Sequence, residues 1–99
     1  MIERHIYFKL KDEFANDAGR AEMARALRET LPGIAGVDEI VVGLPADHDS
    51  LVWDVALRLR FVSMEALLAW TATPAHQKFT EEFVLPRVEI QKLWNFSID

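Results

Sequence analysis

The chain has no cysteine. That excludes a disulfide framework, a thiolate nucleophile and any zinc site built on sulfur. Basic residues are also in short supply: 11 Lys and Arg stand against 16 Asp and Glu, a formal net charge of −5. A nucleic-acid surface needs a clustered positive face, and here the cations are scattered, so nucleic acid is not an expected partner. No apolar run approaches the roughly 18 residues of a membrane span. Met1-Ile2-Glu3-Arg4-His5 carries no signal-type apolar segment. These absences predict a soluble, cytoplasmic protein. There is no repeat, low-complexity stretch or linker, so residues 1–99 read as a single domain.

Apolar residues are plentiful: 51% of the chain is hydrophobic, including 3 Trp and 6 Phe. A chain this short buries only about 60–65% of its unfolded surface. A self-complementary homodimer would absorb the excess.

The hydrophobic pattern predicts the elements. Residues 2–11 alternate with period two, placing Ile6, Phe8 and Leu10 on one face and His5, Tyr7 and Lys9 on the other. After a polar break at 12–17, the spacing predicts a helix over about 18–31, capped by Asn16 or Asp17 and stopped by Pro32-Gly33. Residues 36–43 read as a second strand, 44–50 as a turn and 51–61 as a third strand. Trp53, Val55, Leu57, Leu59 and Phe61 form the apolar face of that third strand, opposite Asp54, Arg58 and Arg60. Ser63 caps a helix over 64–72, and Thr73-Pro74 opens another that should end before Pro86. A last strand covers 88–98, with Val88, Ile90, Trp94, Phe96 and Ile98 on one face. The order β-α-β-β-α-α-β predicts an α+β, ferredoxin-like fold with one four-stranded antiparallel sheet. Helices on a single face leave the other bare, and closing two sheets together gives a dimeric α+β barrel.

His76 is the residue with the most accessible chemistry. Near the start of a helix opened by Thr73 and Pro74, its ring should stay neutral at pH 7 and can act as a base or hydrogen-bond a carbonyl. If their face lies under the helices, His5 and Tyr7 line one pocket with His76 and Trp70, and Tyr7 could donate a hydrogen bond. Trp53, Trp94 and Phe79 are candidate apolar walls. Asp54, Arg58 and Arg60 read as structural charges. Asp47, His48 and Asp49 are adjacent, cannot easily converge on one ion, and read as a solvated turn, so no metal site is expected.

Several stretches together resemble the stress-responsive dimeric α/β barrel (Dabb) family. They are Arg4-His5-Ile6-Tyr7-Phe8-Lys9-Leu10-Lys11-Asp12, Trp53-Asp54-Val55-Ala56-Leu57, Phe61-Val62-Ser63-Met64-Glu65-Ala66-Leu67 and Pro74-Ala75-His76-Gln77. The likeness spans nearly the whole chain. It implies a dimeric barrel from a family that includes a boiling-stable plant stress protein and a plant olivetolic acid cyclase. It matches the cyclase's catalytic His to His76 and a second pocket His to His5. The cyclase's catalytic Tyr falls on Trp70, which has no hydroxyl, and a further pocket His falls at or near Val55. Two functions follow as expectations. One is a homodimeric barrel that binds a small hydrophobic ligand or serves stress tolerance. The other is a cofactor-free enzyme, cyclase-, isomerase- or monooxygenase-like, acting on a small hydrophobic carbonyl compound with His76 as general base. No cofactor is expected for either.

Overall fold

The computed structural model describes residues 1–47 and 52–99. Strand β1 (Ile2–Leu10) lies inside a four-stranded sheet of order β2-β3-β1-β4, with β2 (Glu39–Gly43), β3 (Val55–Phe61) and β4 (Val88–Ser97). Every pairing is antiparallel. This is the ferredoxin-like arrangement that the element order predicts. Ile6, Phe8 and Leu10 of β1 and Val55, Leu57, Leu59 and Phe61 of β3 are buried in one core with Met23, Leu27, Leu67 and Trp70 from the helices. His5, Tyr7 and Lys9 point the other way, to the face without helices.

Local chemistry sets the helix ends. The Asn16 side chain accepts from the Gly19 N–H at 2.8 Å and opens α1 (Asp17–Thr30). Ser63 accepts from Ala66 N–H to open α2 (Met64–Thr71), and Thr73 accepts from His76 N–H to open α3 (Pro74–Phe79). Each such cap contributes about 1 kcal/mol. Gly19 also has a steric reason to be glycine, because a Cβ there would sit 1.8 Å from the Phe14 carbonyl oxygen.

The structure corrects four expectations. The helix begun at Pro74 does not stop before Pro86. It widens into a π-helical stretch over Thr80–Val84 and continues through a final turn, Leu85–Arg87. A wide turn just ahead of a proline relieves the clash of its ring with the preceding carbonyls. Strand β2 is shorter than the expected 36–43, because Gly36 at φ 118° makes a turn that only glycine adopts without strain.

Strand β3 starts at Val55, so the alternation expected from position 51 does not hold across Trp53 and Asp54; Leu51 itself lies outside the described residues. Asp54 is buried at 4% exposure instead of sharing a face with Arg58 and Arg60. Its Oδ2 accepts from the Leu10 N–H at 2.7 Å, and its Oδ1 accepts from Arg20 Nε at 2.9 Å. Trp53 turns toward Tyr7 on the other side of the sheet. In β4 the pairing with β1 slips at Lys9/Leu10, so Val88 packs on the core while Ile90, Trp94 and Phe96 lie on the bare face. Ile98 falls just outside the strand, its N–H donating to the Met1 carbonyl.

Candidate functional site

Between the helix-covered face of the sheet and α1, α2 and α3 lies a cavity of about 90 Å³. Its wall is mainly hydrocarbon, from Ile6, Phe8, Leu27, Leu57, Leu59 and Val84, with Trp70 and Phe79 as aromatic surfaces. Four polar side chains reach it: Arg4, His76, Thr80 and Gln91. Few polar groups converging in an apolar hollow is the usual make-up of a small-molecule site.

His76 is half-buried and its ring lies 4.8 Å from that of Trp70. Burial pushes its pKa below the ordinary value, the positive charge of Arg4 pushes the same way, and a hydrogen bond to the backbone of Thr71 opposes both. The direction is the expected one, and burial comes first among its causes. A neutral imidazole has one nitrogen as donor and the other as acceptor or base.

Trp70 is 2% exposed and donates its indole N–H to the Ile34 carbonyl at 2.8 Å. Its only donor is therefore committed, and it serves the cavity as a wall. A Cβ at Gly36 would meet Trp70 Cδ1 at an ordinary contact distance of 3.5 Å, so the backbone at φ 118° rather than space calls for glycine there. Phe79 closes another side and stacks on Phe83 with ring centroids 5.4 Å apart.

His5 and Tyr7 do not join this cavity. They lie on the opposite, helix-free face with Trp94, because neighbouring strand residues alternate sides. There His5 pairs with Glu3 at 2.7 Å and meets the edge of Phe96 at 5.2 Å, while Tyr7 sits between Trp94 and Trp53 at 5.9 and 6.0 Å. Arg60 and then His5 hold the Glu3 carboxyl below the usual carboxylate range. Tyr7 and Trp53 border a broad, open recess of about 310 Å³, which also touches Val55. Val55 itself is core at 1% exposure and does not line the His76 cavity. His48 and Asp49 lie outside the described residues. Among the described residues, no three His, Cys, Asp or Glu side chains converge as metal ligands.

Residue-by-residue reading missed Arg4. It is the only charged side chain on the helix-facing stripe of β1 and stands one residue from the histidine favoured in its place. A cation set among Ile6, Phe8 and Leu10 at period two was the signal that could have found it.

Residues 2–97 match the model of the stress responsive A/B barrel domain, Dabb. No curated protein sequence is significantly similar. A Dabb family protein with a ferredoxin-like fold from Mesorhizobium loti superposes with a TM-score of 0.82 at 17% identity, over 99% of this chain and 96% of that one. A dimeric ferredoxin-like protein of unknown function from Bacteroides fragilis gives 0.79 at 19% identity, over 98% and 95%. A hydroxynitrile lyase from Passiflora edulis gives 0.77 at 22% identity, over 99% and 94%. At these identities the likeness carries the fold. No helix among the described residues is long and apolar enough to cross a membrane.

Proposed function

The chain belongs to the stress-responsive A/B barrel (Dabb) family, and from that premise we propose that it is a homodimeric barrel that binds a small hydrophobic ligand in the His76 cavity. The cavity itself carries this reading: a preformed hollow of about 90 Å³ in an otherwise close-packed core, apolar apart from a few convergent polar groups. A core that served stability alone would gain by filling such a space.

The homodimer is supported by the helix-free face of the sheet. Trp94 and Phe96 stand 47% and 50% exposed there, beside the half-exposed Val41 and Ile90. Arg60 Nε on the same face is buried with no hydrogen-bond partner among the described residues. A second sheet laid on this face would cover the aromatic side chains and can supply the missing acceptor. Sedimentation equilibrium at micromolar concentration should return twice the 11.3 kDa chain mass. A clean monomer would refute the barrel.

The ligand reading is tested by thermal shift against a panel of small hydrophobic carbonyl compounds, since a ligand that binds only the native state raises its stability by mass action. The methyl resonances of Leu27, Leu57 and Val84 should move with the binder. A panel in which no compound shifts them refutes the site.

A second reading is favoured by the state of His76. A neutral imidazole at the wall of an apolar cavity is suited to act as general base on a hydrophobic carbonyl substrate, without a cofactor. Within one chain, the accompanying hydrogen-bond donors would be Arg4 and Thr80 rather than His5 or Tyr7. Turnover that survives His76→Ala would dismiss this mechanism.

A further inference from the structure

We propose that the His76 cavity takes its ligand as an anion, a short aliphatic carboxylate whose head sits on Arg4 and whose tail lies among Leu27, Leu57 and Leu59. This rests on the cavity being a binding site, and it adds the class of ligand.

Four arginines are half-buried: Arg4, Arg20, Arg60 and Arg87. Three of them are matched to carboxylates, Arg20 to Asp54 at 2.9 Å, Arg60 to Glu3 at 3.1 Å and Arg87 to Glu22 at 2.9 Å. Arg4 alone of these has no carboxylate partner among the described residues, in a chain that carries more acids than bases. A guanidinium partly withdrawn from water without a counter-charge is unfavourable, and an anion is the usual remedy.

What Arg4 does have is a neutral partner that aims it. Its Nε donates to Asn95 Oδ1 at 2.9 Å, across a register that sets Arg4 directly opposite Asn95 on β4. That bond fixes the plane of the guanidinium and leaves both terminal Nη groups without partners among the described residues. A planar pair of N–H donors matches the two oxygens of a carboxylate in a bidentate bond. The neighbouring His76 adds no negative charge to compete for Arg4 and, as a neutral ring, can share a hydrogen bond with the same head group.

The tail follows from the walls. Beyond Arg4, His76, Thr80 and Gln91 the lining is aliphatic and aromatic, and the volume of about 90 Å³ matches roughly three waters' share of liquid. That admits a tail of a few carbons and excludes a long chain. Apolar tail and anionic head together specify a short-chain carboxylate rather than an inorganic anion, which would leave the hydrocarbon wall empty.

Butyrate and butyramide have nearly the same shape and differ in charge, so they separate the anion assignment from the cavity itself. The isotope-labelled protein is titrated with each at constant chloride and pH 7.5, following the Leu57 and Leu59 methyl resonances. Butyrate should bind at least tenfold tighter than butyramide. Arg4→Met should bring butyrate down to the affinity of the amide, and Arg4→Lys should keep part of the preference. Equal binding of acid and amide by the native protein would overturn the assignment and leave the cavity reading standing. Binding of neither would overturn both. The native ratio decides the matter even if Arg4→Met fails to fold. With a folded variant, an unchanged ratio would show that the charge acts from elsewhere.

Discussion

Replacing Asp54 by Ala removes two acceptors at once from a place that water does not reach. The carboxylate is 4% exposed and joins the end of β1 to α1, through Leu10 N–H on one oxygen and Arg20 on the other. A buried N–H left without an acceptor costs about 1–3 kcal/mol. Breaking a buried ion pair costs about 3–5 kcal/mol. The two losses share one side chain and do not add in full, and Arg20 keeps weaker partners in exposed Asp17 at 3.3 Å and the Ala15 carbonyl at 3.4 Å. The expected loss is therefore about 3 kcal/mol, against a total stability on the order of 5–15 kcal/mol for a domain. In thermal terms that is roughly 12–24 °C for a chain of this length. Asp54→Asn, which keeps one acceptor, should lose about half as much. The exposed pair of Arg58 with Glu39 at 3.2 Å serves as the control, since Glu39→Ala should cost under about 1 kcal/mol. Urea unfolding followed by tryptophan fluorescence measures all three, at one protomer concentration because association contributes to stability. An Asp54→Ala protein no less stable than Glu39→Ala would refute the idea that this carboxylate ties strand to helix.

Gly19→Ala should be among the most damaging small substitutions, because the new methyl would meet the Phe14 carbonyl oxygen at 1.8 Å and force the turn before α1 to move. A loss below about 1 kcal/mol in the same urea assay would contradict it. By NMR, His76 should titrate below the ordinary histidine value of about 6.5 and remain low in Arg4→Met, since burial outranks Arg4 among the causes. A midpoint above 7 in the native protein would be inconsistent with this. The unfolded chain binds the His76 proton more readily, so stability falls as pH drops through the unfolded value and levels off below the lowered folded one. His76→Gln should flatten that part of the pH–stability curve, and an unchanged slope would assign the effect to another group.

Much of the fold was legible because its signals are local. Asn16, Ser63 and Thr73 each cap the helix that their side-chain chemistry foretells, and Ile6, Phe8 and Leu10 mark the buried side of β1 by period alone. The misses are places where a distant contact overrides the pattern. Asp54 turns into the core because Leu10 and Arg20 meet it there, and neither is near it in sequence. The slip beside Leu10 reverses the sides of β4 at Val88, which periodicity cannot register. The site was half legible: His76 and Trp70 sit together as their helices suggest, whereas His5 and Tyr7 belong to the opposite face. That face also carries aromatic side chains, Trp94 and Phe96, so hydrophobicity does not tell which side the helices cover.

The wide turn over Thr80–Val84 has a consequence for how length and shape are related in this protein. His76, Phe79, Thr80 and Val84 all border one hollow, and a regular α-helix would set the last of them about 80° round from the first. Five residues spent on a slower turn bring the stripe back into phase. The helix behaves here like a vernier, its offset set by one residue more or less. Removing a single residue within Thr80–Val84 would leave a helix of ordinary pitch and a differently shaped hollow. Between relatives, a one-residue gap at this point would therefore mark a change in what the cavity admits, even where every lining side chain is retained.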